Sequence, residues 1–374
     1  MCQNPNPSFG PNPNGLPSPS NPKEDRELKR QVQVKEFALV LANGDVAVRV
    51  QAARDIRKIV RGSPRGRSAF AVPAIIQPLV AMLQSADHVS RESALLALLN
   101  MAVRNERNKE KLVSSGTVPL LVEMLGSDNT LKEMATAAIL TLSASKSNKS
   151  TIAASGAMPL LVNILISGSI QGRVDAVTAL YNLSDCYENG GDGDDVFLSA
   201  EAVIPLLTLL KDSKKYSKLA GKTTALLSIL SESEQGRSAI SEVQGGILTI
   251  VETIEEGSLL STEHAVSILL SLCRSNREKY RELILNEGPI PGLLLLTVEG
   301  TKKACNYSHD LLKLLRYDSQ SKKAESKDIE AIDYSNKAEE TAKILLQDMV
   351  RRNMEENIPK ASAQCSNKQC GSHS

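Results

Sequence analysis

The sequence predicts an all-α fold, a right-handed superhelix built from about seven stacked helical repeats. Apolar residues make up 41% of the 374 residues, so a large core can form. Aromatic residues make up only 3% and Trp is absent, so that core is aliphatic and rich in alanine, which favours helices. A sequence pattern also recurs every 40 to 45 residues along the middle of the chain, which is the signature of a stacked array.

The first recurring element is a short apolar block that follows a glycine and carries a proline. Gly116 precedes TVPLLVEML and Gly156 precedes AMPLLVNIL, and related blocks lie around residues 76, 203, 247 and 290. Pro119 and Pro159 fall in the first turn of the predicted helix, where backbone N–H groups have no partner within the helix, so proline is tolerated. The glycines allow a sharp turn into this helix from a shorter one before it.

A longer helical element follows each block and combines apolar stripes with a column of alanines. Its copies lie at 92–101, 133–142, 174–183, 220–229, 263–272 and 305–314. The small side chains of Ala94, Ala135, Ala176 and Ala265 let neighbouring helices approach closely. A three-helix unit of this size cannot cover its own apolar faces, so successive units are expected to stack.

The period, the Gly-x-x-Pro-Leu-Leu block and the Ala-Leu-x-Asn-Leu ending resemble armadillo repeats over about residues 35–316. Within that family the chain is most similar to the repeat region of plant U-box ubiquitin ligases, through LYNLS at 180–184, ALLSIL at 225–230, EQGR at 234–237 and NREK at 276–279. The resemblance implies an α-solenoid whose third helices line a concave groove. Too few residues precede the repeats to hold a U-box, so we expect the partner-binding half of such a ligase alone.

The composition divides the chain into three regions. Residues 1–30 are expected to be a disordered tail, because residues 1–22 contain seven Pro and five Asn and no periodic apolar face. Residues 31–316 form the predicted solenoid. Residues 317–374 form a polar tail in which the spacing of Ala338, Ala342, Leu345 and Met349 predicts one amphipathic helix over 336–355. That helix either caps the end of the fold or packs on its binding face.

The resemblance also implies which residues face the groove. Nuclear-import adaptors with armadillo repeats carry a Trp and an Asn one turn apart on each third helix. The corresponding pairs here are Leu96/Asn100, Ala137/Thr141, Thr178/Asn182, Thr224/Ser228, Ser267/Ser271 and His309/Lys313. Without Trp, no aromatic slots for lysine can form, so recognition of classical nuclear signals is not expected. Asn100 and Asn182 either read a peptide backbone, since an amide donates and accepts, or bond to a neighbouring repeat.

Charged residues lie one turn earlier on the same face. They are Glu92, Glu133 and Glu263, with the neighbours Arg91, Lys132 and Arg173. Such surface charges are usually just solvated. If they act, they favour a partner that carries both signs of charge.

The sequence contains no pattern that predicts catalysis or a bound cofactor. It lacks a Gly-rich phosphate loop, a His-Glu-x-x-His motif and a Gly-x-Ser-x-Gly elbow. Its cysteines form no Cys-x-x-Cys, so a zinc site is not expected. The acidic insertion at 185–195 lacks the ligand order of an EF-hand and is interpreted as a flexible loop. We therefore expect no catalytic, cofactor-binding or metal-binding residues.

Charge and hydropathy limit the partners. With 44 Lys and Arg against 43 Asp and Glu, the net charge is +1, which argues against a dedicated nucleic-acid binder. No apolar run reaches the length of a membrane span. The cysteine pattern fits reduced thiols in the cytoplasm or nucleus. Expected partners are other proteins, with kinases or ubiquitin-ligase components suggested by the resemblance, and the oligomeric state is left open.

The sequence therefore favours a non-catalytic scaffold or adaptor in plant signalling or ubiquitin-related regulation. Two other hypotheses stay open. One is a U-box ubiquitin ligase or its substrate-binding fragment, and the other is a membrane-peripheral scaffold tethered through a lipid on Cys2.

Overall fold

The computed structural model describes residues 22–127, 130–188 and 198–316, and these residues form helices joined by short turns, with no β-strand among them. The described residues from Pro22 to Leu315 belong to one compact unit. The prediction of an all-α fold is confirmed. The predicted helix at 336–355 and Cys2 lie outside the described residues.

The helices follow the expected order of short, middle and long helix in each repeat. An N-terminal helix comes first, α1 (Pro22–Asn43). The short first helices are α3 (Pro64–Phe70), α6 (Glu106–Ser114), α9 (Lys146–Ala153), α14 (Glu234–Glu242) and α17 (Arg277–Asn286). The second helices are α4 (Pro73–Leu83), α7 (Thr117–Leu125), α10 (Ala157–Ser167), α12 (Val203–Asp212), α15 (Gly246–Glu256) and α18 (Ile290–Glu299). The third helices are α2 (Val46–Gly62), α5 (His88–Ala102), α8 (Leu131–Ser143), α11 (Ile170–Glu188), α13 (Lys218–Leu230), α16 (Leu259–Ser275) and α19 (Lys302–Leu315). A 3-10 turn, Ala200–Ala202, precedes α12.

Helix α1 begins earlier than the sequence suggested. Residues 22–30, which we assigned to the N-terminal tail, form its first turns. Glu24 and Asp25 lie in the first turn, where carboxylates favour the positive end of the helix dipole. Further along, the rings of Phe37 and Phe70 meet edge to face with their centroids 5.8 Å apart, and Leu41 is buried. These contacts fix α1 on the first repeat.

The turn between the first and second helices follows the predicted geometry. The chain bends by 82° between α3 and α4 and by 88° between α9 and α10. Gly116 and Gly156 occupy the left-handed region at this turn, with φ of 79° and 81°, which other residues adopt at a cost. Pro119 and Pro159 lie in the first turn of α7 and α10, as predicted. By contrast, Pro78 lies inside its helix, because α4 already begins at Pro73.

Buried asparagines connect two of the first helices, α6 and α9, to the third helix before each of them. Nδ2 of Asn108 donates to the carbonyl oxygens of Met101 and Arg67, both at 2.9 Å. Asn148 repeats the contact one repeat later, donating to the carbonyl oxygen of Leu142 at 3.2 Å. Carbonyl groups at the end of a helix have no partner within it, so these amides satisfy them where water is excluded.

Within the residues that the structure covers, no single helix is long and apolar enough to cross a membrane. The bent pairs α3–α4 and α9–α10 reach that length and composition only when both helices are counted together. Helix α11 runs to Glu188, so the first residues of the predicted acidic loop are helical, and residues 189–197 lie outside the described ranges.

Candidate functional site on the third helices

The third helices lie side by side in chain order and form a continuous surface, which we call the third-helix ladder. Helix α2 packs against α5, and the contacts continue through α8, α11, α13 and α16 to α19. Polar side chains define where several of these helices begin. Asp87, Ser217 and Ser258 each accept a backbone N–H from the first turn of α5, α13 and α16.

Three serines show which residues are equivalent from one third helix to the next. Ser143, Ser184 and Ser231 each donate their hydroxyl to the carbonyl oxygen three residues earlier. Those carbonyls belong to Leu140, Tyr181 and Ser228. The residues directly after Leu140, Tyr181 and Ser228 occupy the position that is predicted to contact a bound peptide. They are Thr141, Asn182 and Ile229.

This correspondence corrects the predicted pair Thr224/Ser228, which is one residue out of register. Thr224 is fully buried, and its hydroxyl donates to the carbonyl oxygen of Ala220 at 2.9 Å. Ser228 is equivalent to Tyr181, so the pair on the ladder of α13 is Ala225/Ile229. The error has a simple origin: α13 has two threonines and two leucines in succession, so a shift by one residue leaves its pattern of residue types almost unchanged.

The predicted pair His309/Lys313 is out of register in the same way. The buried residues of α19 lie 43 positions after those of α16; they are Ala304, Ser308, Leu311 and Leu315 against Ser261, Ala265, Ile268 and Leu272. The residues of α19 that match Ser267 and Ser271 are therefore Asp310 and Leu314. His309 and Lys313 are exposed beside them, and Asp310 pairs with Arg274 of α16 at 2.7 Å.

The structure distinguishes the two asparagines that were predicted to read a peptide. Asn182 donates through Nδ2 to Ser143 Oγ at 3.1 Å and to the carbonyl oxygen of Leu140 at 3.5 Å, so it ties α11 to α8. Asn100 donates only within its own helix, to the carbonyl oxygen of Leu96 at 2.7 Å. Among the described residues nothing donates to its amide oxygen. Asn100 is thus the better placed of the two to accept a bond from a partner.

The remaining predicted residues of the ladder are half-buried and mostly bonded inside the protein. Thr141 and Thr178 donate to carbonyl oxygens of their own helices, Ala137 at 2.8 Å and Val174 at 3.1 Å. Ser271 donates to the carbonyl oxygen of Ser231 at 2.6 Å, so it ties α16 to α13. Ser267 contacts Ser228 at 3.2 Å across the same two helices, and Leu96 is half-buried without a polar role.

The three predicted glutamates differ in their surroundings. Glu133 is exposed and Glu92 is half-buried. Glu263 accepts a hydrogen bond from the hydroxyl of Thr301, and its other oxygen lies 3.9 Å from Nζ of Lys303. The carboxylate of Glu263 therefore helps to attach α19 to α16. Glu92 and Glu133 lie on the surface of the ladder.

Three further half-buried residues of the ladder, Asp175, Tyr181 and Lys222, are not among those predicted from the sequence. Burial raises the pKa of Asp175, with a further contribution from the carboxylate of Glu133. Burial lowers the pKa of Lys222, whose ammonium group lies 5.8 Å from the ring centre of Tyr181. Ionisable groups that are held half-desolvated often mark functional surfaces. The burial of these side chains cannot be read from the sequence, because it depends on the neighbouring repeats.

The described residues offer no metal site, since they contain no cluster of three or more His, Cys, Asp or Glu able to hold an ion. Two of the cysteines within them, Cys273 and Cys305, are buried or bonded inside the protein. Burial raises the pKa of the Cys273 thiol to about 11, so it stays protonated, and Cys305 donates to the carbonyl oxygen of Leu296. Cys186 is half-buried on α11.

Comparison with known families agrees with this repeat geometry. The family model of the plant U-box protein ARM repeat region matches residues 16–211 and 191–334. The chain belongs to this family. ARM repeats are the armadillo repeats that the sequence pattern resembles, so the predicted family is confirmed.

Among curated proteins, similar relatives come from Arabidopsis thaliana. U-box domain-containing protein 45 is 31% identical over 267 residues, which cover 70% of this chain and 34% of the relative. U-box domain-containing protein 17 is 33% identical over 269 residues, covering 71% of this chain and 36% of the relative. The ARM chain described here thus spans about a third of the length of these relatives.

Solved structures support the armadillo fold alone. A chain from work on a phosphorylation switch that controls the interaction between cadherin and beta-catenin aligns with a TM-score of 0.64 at 17% identity, covering 79% of this chain and 55% of the other. A crystal structure of an engineered protein aligns with a TM-score of 0.54 at 20% identity, covering 75% of this chain and 68% of the other.

The ARM ladder presents a long polar surface. Its polar side chains are spread along seven helices, with half-buried hydroxyl, amide and carboxylate groups and small residues such as Ala137 between them. Such a surface suits an extended chain that makes many small contacts.

Proposed function

We propose that the third-helix ladder binds extended segments of other proteins and that the chain works as a non-catalytic scaffold or adaptor. The observation that carries this proposal is the ladder itself: seven third helices pack in sequence and present half-exposed polar groups, among them the free amide oxygen of Asn100. The similarity to plant U-box proteins supports partners in ubiquitin-related regulation, such as kinases or ligase components.

The test is affinity purification from a plant extract, followed by mass spectrometry, with the full chain and two groove variants. Ala137→Arg places a long charged side chain over the centre of the ladder. Asn100→Ala removes the amide oxygen that is free to accept a hydrogen bond from a partner's backbone. We expect both variants to lose the same set of partners, with recovery reduced about tenfold for a loss of about 1.4 kcal/mol in binding.

Two control variants separate binding from folding. Ala81→Arg adds the same side chain at an exposed position of α4, away from the ladder, and should retain all partners. Asn182→Ala breaks the tie between α11 and α8, so it should lower the unfolding temperature, whereas Asn100→Ala should not. Partners that are retained equally by Ala137→Arg and Ala81→Arg would show that the ladder is not the binding surface.

A non-catalytic scaffold does not transfer ubiquitin by itself, and this can be tested directly. With ubiquitin-activating and ubiquitin-conjugating enzymes added, the purified chain should form no ubiquitin chains. Chain formation that survives removal of trace contaminants would replace the scaffold proposal with the ligase hypothesis.

A further inference from the structure

Helix α2, at the N-terminal end of the ladder, carries a basic face. Arg54, Arg57, Lys58 and Arg61 recur at the three- and four-residue spacing that places side chains on one side of a helix. Arg54, Lys58 and Arg61 are exposed, and Arg57 is half-buried. Arg65 follows, exposed, at the start of α3.

This face lies on the ladder. Asp45 caps α2 as Asp87 caps α5, each accepting the backbone N–H three residues later. Counted from these two caps, Arg54 falls at the place of Leu96 and Lys58 at the place of Asn100. At the two positions where α5 has the aliphatic Leu96 and the amide of Asn100, α2 therefore has the cations Arg54 and Lys58.

The positive charge is only partly neutralised. Asp55 is the sole carboxylate between Val46 and Arg67, and it pairs with Lys58 at 2.9 Å. In the part of the chain that the structure describes, no carboxylate contacts the guanidinium groups of Arg54, Arg57 and Arg61.

Other arginines nearby have a different task. Arg49 donates to the carbonyl oxygen of Gly44 at 2.7 Å, and Arg67 donates to that of Val60 at 3.1 Å. These two side chains close turns of the backbone. The three unpaired guanidinium groups on α2 make no such contact, so they contribute nothing comparable to the fold.

The charge of the ladder becomes mixed beyond α2, where Arg91 and Lys132 are the immediate neighbours of Glu92 and Glu133. Glu92 on α5 and Glu133 on α8 lie on the next two third helices, and neighbouring helices are about 8–10 Å apart. A uniform polyanion laid along the ladder would leave the basic face within one or two helices and meet these carboxylates. A polypeptide can instead place acidic residues over α2 and neutral or basic residues beyond it.

We propose that the basic face of α2 binds an acidic stretch of a partner polypeptide, in which phosphorylated serine or threonine can take the place of Asp and Glu. Arginine suits this role because its planar fork donates two parallel hydrogen bonds to a carboxylate or phosphate. The inference rests on the proposed binding function of the ladder, and it adds the charge of the bound segment and the helix that its acidic part contacts.

The test is selection of short random peptides, with phosphoserine among the building blocks, on the full chain. We expect the wild-type protein to enrich peptides that carry acidic or phosphorylated residues towards one end. The variant Arg54→Glu with Arg57→Glu and Arg61→Glu should lose that enrichment and bind the wild-type peptides at least about tenfold more weakly, since several exposed charge pairs are lost.

A matched control carries the same change in net charge on another helix. Arg26, Lys29 and Lys35 are exposed on α1, and their joint replacement by Glu should leave the selected peptides and their affinity unchanged. Equal losses in both triple variants would overturn the inference, because they would reflect net charge alone. A single-stranded oligonucleotide or a phosphatidylserine vesicle that outcompetes the peptides at α2 would also overturn it.

The same selection separates this inference from the proposed function. Peptides whose binding is lost in Ala137→Arg but that show no acidic preference would refute the basic face and leave the scaffold proposal standing. Peptides that bind Ala137→Arg as well as the wild type would refute the scaffold proposal itself.

Discussion

The turn at Gly156 allows the cost of a single backbone conformation to be measured almost alone. Gly156 has φ of 81°, and a Cβ built on it would meet no atom within 4 Å. Gly156→Ala therefore introduces no steric clash with neighbours. What it introduces is the strain of an L-residue in the left-handed region, about 1–2 kcal/mol.

Part of that strain is offset in the unfolded chain. Alanine has fewer backbone conformations to lose than glycine, which stabilises the folded state by about 0.4–1 kcal/mol at positions without strain. The net expectation for Gly156→Ala is a loss of about 1 kcal/mol of stability, localised at the turn between α9 and α10. Gly156→Asn should lose less, since asparagine tolerates this region better.

Hydrogen exchange measured by mass spectrometry on the native protein gives the local free energy of opening, which suits a repeat array that need not unfold in one step. Gly62→Ala is the control, because a Cβ there also meets nothing within 4 Å and its φ is not in the left-handed region. It should be neutral or stabilising. The assignment of the strain to φ would be refuted by either of two results. One is that the amides of the turn are protected from exchange in Gly156→Ala as well as in the wild type. The other is that Gly62→Ala loses as much local stability as Gly156→Ala.

Three further predictions concern buried or half-buried polar groups. Asn108→Ala should lower the local free energy of opening around α6 by about 2–3 kcal/mol in hydrogen exchange, because one buried and one partly buried carbonyl lose their donor. Thr224→Val should leave the recovery of partners in the affinity purification unchanged, because the side chain of Thr224 lies in the core. A loss of partners by a variant that still folds would show that Thr224 faces the groove after all. Asp175→Asn should raise the unfolding temperature at pH 7. Burial raises the pKa of this carboxyl, so the folded state binds its proton more tightly and stability falls as the pH rises through that pKa. The gain in unfolding temperature from Asp175→Asn should therefore vanish below pH 3.8, the ordinary pKa of an aspartate. A gain that persists at lower pH would show that the burial of the charged carboxylate is not its cause.

The repeat architecture could be predicted because its signals are local and redundant. Gly116, Pro119 and the apolar residues around them specify one turn and one helix, and the same specification recurs along the chain. If the helix of one repeat is predicted wrongly from its own residues, the same pattern in the other repeats still gives the correct structure. The start of α1 lacked this support, since its charged first turn has no counterpart in the repeats, and its attachment depends on the distant pair Phe37 and Phe70.

The details of the ladder could not be predicted to the same extent. Thr223 and Thr224 are adjacent and chemically identical, and only the stacking of α13 between α11 and α16 decides which of their neighbours faces outward. The roles of Asn100 and Asn182 likewise depend on what the preceding repeat offers. Ser143 on α8 supplies an acceptor for Asn182 on α11, whereas Val60, at the equivalent place of α2, has no side-chain oxygen to offer Asn100 on α5.

The bond between Asn182 and Ser143 also bears on how freely such repeats can be rearranged. Leucine and alanine contacts tolerate many partners, but this bond requires a hydroxyl at one place on the preceding unit. A unit transplanted behind one that ends like α5 would leave its amide without that acceptor. Modular redesign of this array would therefore have to move α8 and α11 together, as a matched pair rather than as interchangeable parts.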